Sequence, residues 1–160
     1  LLPYHRVVPP EGGLHVGGPD PAIRSGLVDH VTTEAASALT RLVQSGTAPF
    51  AQIRAAGGAI NDVDPMATAY AHRHQNFLLT AVGRAHERLD PPWDAEVAPH
   101  TDGLYLSLDT DTRPERLHDA FPGPTLDRLR ELKGRYDPDN VFDRNFPIPP
   151  AAARREALAA

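Results

Sequence analysis

Apolar residues recur at helical spacing across residues 31–44, where Ala35, Leu39, Leu42 and Val43 form a stripe. Thr32 or Thr33 is placed to accept from the first-turn amides, Glu34 falls in that turn, and Gly46 lies just past the end. From Phe50 the period shortens. Residues 50–60, with Gly57-Gly58 inside them, predict a strand that narrows where another backbone or a ligand approaches. Residues 61–65 predict a turn, and residues 68–82, carrying Tyr70, Phe77, Leu78, Leu79 and Val82, a long second strand. The Asp102-Gly103 turn signal then introduces a third strand over residues 104–108. Residues 116–121 predict a short helical turn. Residues 125–135 predict a clearer helix, with Leu126, Leu129 and Leu132 on one face and Tyr136 continuing it. Asp137-Pro138-Asp139-Asn140 is a strong stop.

This order of elements predicts an α+β fold over residues 23–150, an antiparallel sheet with helices packed on one face. Residues 1–22 are aperiodic and rich in Gly and Pro, and are expected to be a linker or a remnant of a preceding region. Residues 151–160 read as a tail that frays from a short terminal helix. The length of 160 residues suits one core. The 17 prolines exceed average usage, yet they cluster at loops and chain ends and so act as punctuation.

Charge narrows the function classes. The net charge is -5, with acids and bases interspersed, and no Lys/Arg run is interleaved with aromatic residues, so nucleic acid is not an expected partner. No apolar run approaches the roughly 20 residues that cross a bilayer, so no membrane span is expected. Cysteine is absent, which excludes disulfides, thiolate metal sites and a cysteine nucleophile within the chain. The opening Leu1-Leu2-Pro3-Tyr4 carries no initiator Met and no signal pattern. It is read as part of something longer or the product of a displaced start. It does not fix localisation, for which the cytoplasm is the default.

One stretch carries more than periodicity. Arg128-Leu129-Arg130-Glu131-Leu132-Lys133-Gly134-Arg135-Tyr136-Asp137-Pro138-Asp139-Asn140-Val141-Phe142, running on to Asn145 and Ile148-Pro149-Pro150, resembles the closing signature of the berberine-bridge family. Gly57-Gly58-Ala59-Ile60 followed by Thr68-Ala69-Tyr70-Ala71-His72-Arg73 is similar to that family's "GGA…TA(F/Y).HR" hairpin. Gly103 to Leu108 stands where the family has "G.Y.N(Y/F)". The resemblance spans residues 50–150 and implies the α+β substrate domain of an FAD-dependent oxidoreductase. In such enzymes a separate N-terminal domain holds FAD, often covalently, and the substrate domain covers the isoalloxazine ring. Three departures are visible. Ser107 replaces the usual asparagine, Asn145-Phe146-Pro147-Ile148 replaces the usual "NQ.I", and the link to Tyr105 is short where the family has a longer helix. An element covering the sheet is therefore expected to be reduced.

The resemblance sets the candidate residues. Tyr105 is the candidate catalytic group, a phenol that would take or steer a substrate proton, the alternative being an aromatic residue of the core. Ser107 shares its strand face by period two, and with Asn145 it is a candidate cofactor contact; a plain strand serine and a turn asparagine are the alternatives. His72 and Arg73, in the hairpin motif, are candidate substrate contacts. His72 and His74 alternate onto one strand face, but a catalytic zinc site needs a third ligand and none has distinctive spacing, so no metal is expected. Gly12 to Gly18 has neither a preceding strand nor a following helix and is read as linker, not as a phosphate cradle.

The resulting expectation is the substrate-domain portion of an enzyme that oxidises a small organic substrate by hydride transfer to flavin, inactive by itself. Its partner would be an FAD-binding domain in cis or in trans, with dioxygen the re-oxidant. The rival readings are a non-catalytic fragment or partner module completing a separate FAD-binding domain, and a stand-alone small-molecule binder.

Overall fold

The computed structural model describes residues 21–151. Of the linker expected at 1–22, residues 1–20 with the glycine-rich segment lie outside the described residues, as does all but the first residue of the tail expected at 151–160, while Ala22 already belongs to a strand. Three strands, β1 (Ala22–Val28), β2 (Phe50–Ala55) and β3 (Phe77–Gly83), form an antiparallel sheet in the order β1-β3-β2. The fold is α+β, as expected. β3 pairs with both neighbours, Leu79 opposing Gly26 on one side and Ile53 on the other.

Helix α1 (Thr33–Gln44) begins where Thr32 accepts a hydrogen bond from the Ala35 amide at 3.2 Å. It buries Ala35, Ala38, Leu39 and Leu42 against the sheet. Val43 falls off the edge of that stripe and is 41% exposed. A second helical stretch packs beside α1. It starts as α2 (His86–Pro92), widens into a π turn (Trp93–Val97) and tightens into a 3-10 turn (Ala98–His100). Leu89, Trp93 and Val97, four residues apart, are all fully buried in the main core with Ala22, Leu79 and Ala81. Pro91 and Pro92 each lack the N–H that an α-helix needs, which accounts for the change of helical register just after them. A sheet-covering element is therefore present between β3 and Tyr105. Helices α3 (Arg116–Ala120) and α4 (Pro124–Tyr136) follow. α4 buries Thr125 and Leu126 only, and Tyr136 is 72% exposed and does not continue an apolar face.

All three expected strands are corrected. Where a strand was expected over 68–82, the strand is Phe77–Gly83, because upstream side chains point inward to satisfy loop groups and do not alternate. His72 and Gln75 are both buried, and Gln75 Nε2 donates to the Asp102 carbonyl at 2.8 Å. Likewise β2 ends at Ala55, and Gly58–Ile60 is a 3-10 turn. The third strand at 104–108 is absent. Its backbone leaves the sheet after Gly103 and turns through a 3-10 turn at Leu106–Leu108, while Tyr105 N donates to the Ser25 hydroxyl at 3.2 Å instead of a ladder carbonyl.

Segment 102–110 nevertheless seals the outer edge of β1. The outward amides of Ile23, Ser25 and Leu27 donate to Thr110 Oγ1 at 2.8 Å, Asp109 Oδ2 at 2.9 Å and the Gly103 carbonyl at 2.9 Å. Asp109 is buried by this arrangement. Burial pushes its carboxyl up, and the amides of Ser25 and Asp111 with the nearby Arg116 and Arg24 oppose the shift only in part.

Candidate functional site

The sheet has two faces, and pairing fixes which residues share each. Ala22, Arg24 and Val28 of β1 lie with Ala81, Leu79 and Phe77 under the helices. Leu27 of β1, Leu78 of β3 and Arg54 of β2 lie on the opposite face. There the 56–73 loop folds back over the sheet and, with Tyr105, encloses an open cavity of about 660 Å³. Its walls are mainly Leu27, Ala55, Ala59, Ile60, Val63 and Leu78, with Arg54, Thr68, Tyr70, Arg73 and Tyr105 as the polar-tipped members.

The two phenol rings meet edge to face, centroids 6.1 Å apart. Tyr105 is 40% exposed and presents its ring at the mouth. Its backbone is clamped from β1, since Ser25 Oγ accepts from Tyr105 N and lies 3.1 Å from the Tyr105 carbonyl. Tyr70 is more enclosed. Burial pushes its phenol up, against the opposing pull of the Arg73 guanidinium, which stacks 5.1 Å from its ring centroid. Arg73 is held in the wall by hydrogen bonds to the Ile60 carbonyl at 3.0 Å and Thr68 Oγ1 at 2.8 Å.

Of the residues expected from sequence, the structure brings Tyr105 and Arg73 together. His72 does not reach the cavity. It is 5% exposed, its Nε2 lies 3.2 Å from the Ala120 carbonyl, and its ring packs edge-on at 5.7 Å behind Tyr70. Burial pushes its imidazole down, which fits a neutral ring that supports Tyr70. His74 pairs with Asp102 at 2.8 Å on the surface, and among the described residues no cluster of three metal-ligating side chains occurs. Ser107 and Asn145 are both exposed and are not among the cavity-lining residues; Asn145 sits at φ +61° in the segment after α4. Tyr70 and Arg54 also line the cavity, and of these Tyr70 stands inside the hairpin motif, the signal in the sequence that points to it.

The family model for berberine and berberine-like proteins matches residues 110–149. Over that segment the chain resembles the berberine-bridge family. The FAD-linked oxidoreductase sorD of Penicillium rubens is 28% identical to it over 120 residues, covering 67% of this chain and 26% of that protein. The uncharacterized FAD-linked oxidoreductase YvdP of Bacillus subtilis is 30% identical over 111 residues, covering 59% and 23%. The chain thus spans about a quarter of the length of these curated relatives. The carbohydrate oxidase from Microdochium nivale, solved with a substrate analogue, shares the fold with a TM-score of 0.67 at 21% identity, over 83% of this chain and 33% of that one.

FAD is the cofactor of the berberine-bridge-type oxidoreductases. In this chain the cavity face suits one side of a flat ring, with alkyl walls and two phenols. Ser107 and Asn145 do not converge on that face, so the described residues fit a cover for the ring and not a holder of the whole cofactor. No described helix is long and apolar enough to cross a membrane.

Proposed function

We propose that this chain is the substrate-facing part of an FAD-dependent oxidoreductase that oxidises a small organic molecule, with the cofactor held by an FAD-binding domain in cis or in trans. The observation that supports this reading is the cavity on the sheet face with Tyr105 at its mouth. FAD, when bound, supplies the hydride acceptor. The chain's own residues supply shape, exclusion of water and a proton path. Tyr105, acting as phenolate, takes the proton from the substrate hydroxyl or amine as the carbon is oxidised and so becomes the phenol, and Tyr70, edge-on to it, fixes its ring. Ser25 holds the Tyr105 backbone so that the phenol is presented without a search over loop conformations.

Two outcomes are expected. The purified chain should emerge from gel filtration without flavin absorbance after incubation with FAD; stoichiometric co-elution would overturn the assignment of the cofactor to another domain. In the flavin-loaded assembly, Tyr105→Phe should slow substrate-driven bleaching of the flavin by about 10²-fold or more, with substrate affinity little changed. Anaerobic stopped-flow absorbance measures this, and an unchanged rate would remove Tyr105 from proton transfer.

A further inference from the structure

Two guanidinium groups enter the apolar cavity, and neither has a carboxylate within ion-pairing distance among the described residues. Arg24, Arg41, Arg113, Arg116, Arg130 and Arg144 each have one, while Arg84, Arg88, Arg128 and Arg135 do not, so it is their place in the cavity lining that sets these two apart. The two are not equivalent. Arg73 uses both terminal nitrogens on the Ile60 carbonyl and Thr68, and is part of the wall. Arg54 spends only its Nε, donating to Gln52 at 2.6 Å, which orients the group and leaves the paired terminal nitrogens for another partner. That end of a guanidinium matches a carboxylate bidentately.

The rest of the lining restricts what such an anion is attached to. Ile60, Val63, Leu78 and the alanines would strip water from hydroxyls placed against them and return few hydrogen bonds, which disfavours a polyol. The ring edges of Tyr70 and Tyr105 suit a flat aromatic body. A space of about 660 Å³ is ample for a molecule of two or three fused rings. We propose that the cavity takes a flat aromatic molecule bearing one carboxylate, with Arg54 as the partner of the anion and Tyr70 and Tyr105 against its ring. As a substrate class this rests on the function proposed above, whereas the binding itself belongs to this chain and needs no flavin.

The test is an NMR titration of the purified full chain with 2-naphthoate, its neutral amide 2-naphthamide, and cellobiose. Naphthoate is expected to shift tyrosine ring resonances and to bind roughly 10-fold more tightly than the amide, with cellobiose weakest. That preference should disappear in Arg54→Gln and survive in Arg54→Lys. Arg54 is exposed, so both variants are expected to fold, and their melting curves check this. Independently, in the unaltered chain the preference should shrink between low and high salt. Equal binding of acid and amide, a preference for cellobiose, no binding of naphthoate, or an Arg54→Gln variant that keeps the preference would each overturn the proposal. Naphthoate binding by a chain whose flavin-loaded assembly oxidises nothing would sink the function reading alone. An active assembly whose cavity prefers neutral or sugar probes would sink only the substrate class.

Discussion

Arg24→Met is expected to lower the unfolding free energy by about 3 kcal/mol or more, the range found when one partner of a buried charge cluster is removed. Arg24 is fully buried on the helix-facing side of β1. Its NH2 donates to Asp94 at 2.8 Å, its NH1 lies 3.0 Å from Asp90 and 3.2 Å from Asp111, and its guanidinium sits 5.9 Å from the Trp93 ring centroid. Asp111 is the member that suffers most, because its side chain is 3% exposed. Burial alone pushes its carboxyl up, but hydrogen bonds from Arg113 and the charges of Arg24 and Arg113 outweigh that, and the net direction is down. Arg113 and Arg116 remain near Asp111 in the variant, so the loss should sit at the lower end of the range. A urea midpoint measures it. The double variant Arg24→Met/Asp111→Asn should lose less than the two single variants summed, since the two side chains interact across 3.2 Å. A single variant within about 0.5 kcal/mol of the parent, the scatter of ordinary surface changes, would show that the cluster is solvated in solution.

The second large effect is expected at Gly103. It adopts φ +96°, and an added Cβ would lie 2.2 Å from Cε1 of the buried His72 ring. Its carbonyl is already tied to Leu27 N, so the backbone cannot back away without opening the edge of β1. Gly103→Ala should therefore cost about 3 kcal/mol, combining roughly 1–2 for the positive φ with a similar amount for overpacking. The damage should also travel. Tyr105 is two residues on and His72 stands behind Tyr70, so both phenols should shift. Denaturant melts and the tyrosine ring resonances read the two effects separately. A variant as stable as its parent would mean that His72 swings aside easily.

The features legible in the sequence were those with one local cause. α1 follows from its cap and stripe, and α4 from its charged outer face and the turn after it. Other elements were hidden by residues that break local rules for tertiary reasons. β1 carries an arginine and a glycine inside seven residues, and both make sense only once the helical stretch is packed over it. Arg24 finds its aspartates there, and a Cβ on Gly26 would come within 2.3 Å of Thr101. The i, i+4, i+8 series Leu89, Trp93, Val97 was masked by Pro91-Pro92, which read as punctuation but sit inside the helical stretch. The expected long strand at 68–82 failed because alternation alone cannot tell a strand from a loop whose His72 and Gln75 turn inward.

The candidate site divides in the same way. Tyr105 and Arg73 meet in the cavity, brought there from separate segments that the motifs named. Ser107 and Asn145 were inferred from positions in a motif, and their exposure follows from a strand that became a 3-10 turn and from a chain end that runs past α4. Arg54 was invisible because an arginine on an edge strand looks like solvated charge until it is seen to line the cavity beside the 56–73 loop.

The sealed edge of β1 gives the sheet a direction of growth. With the outward amides of Ile23, Ser25 and Leu27 already taken by Thr110, Asp109 and Gly103, an incoming strand finds no donors on that side. β2 is the other outermost strand, and Ile53 on it is 49% exposed. Any further polypeptide that widens this sheet, from the same gene or another, must therefore add next to β2, on the flank that carries Arg54 and the cavity, so enlarging the sheet and reshaping the binding face are one event.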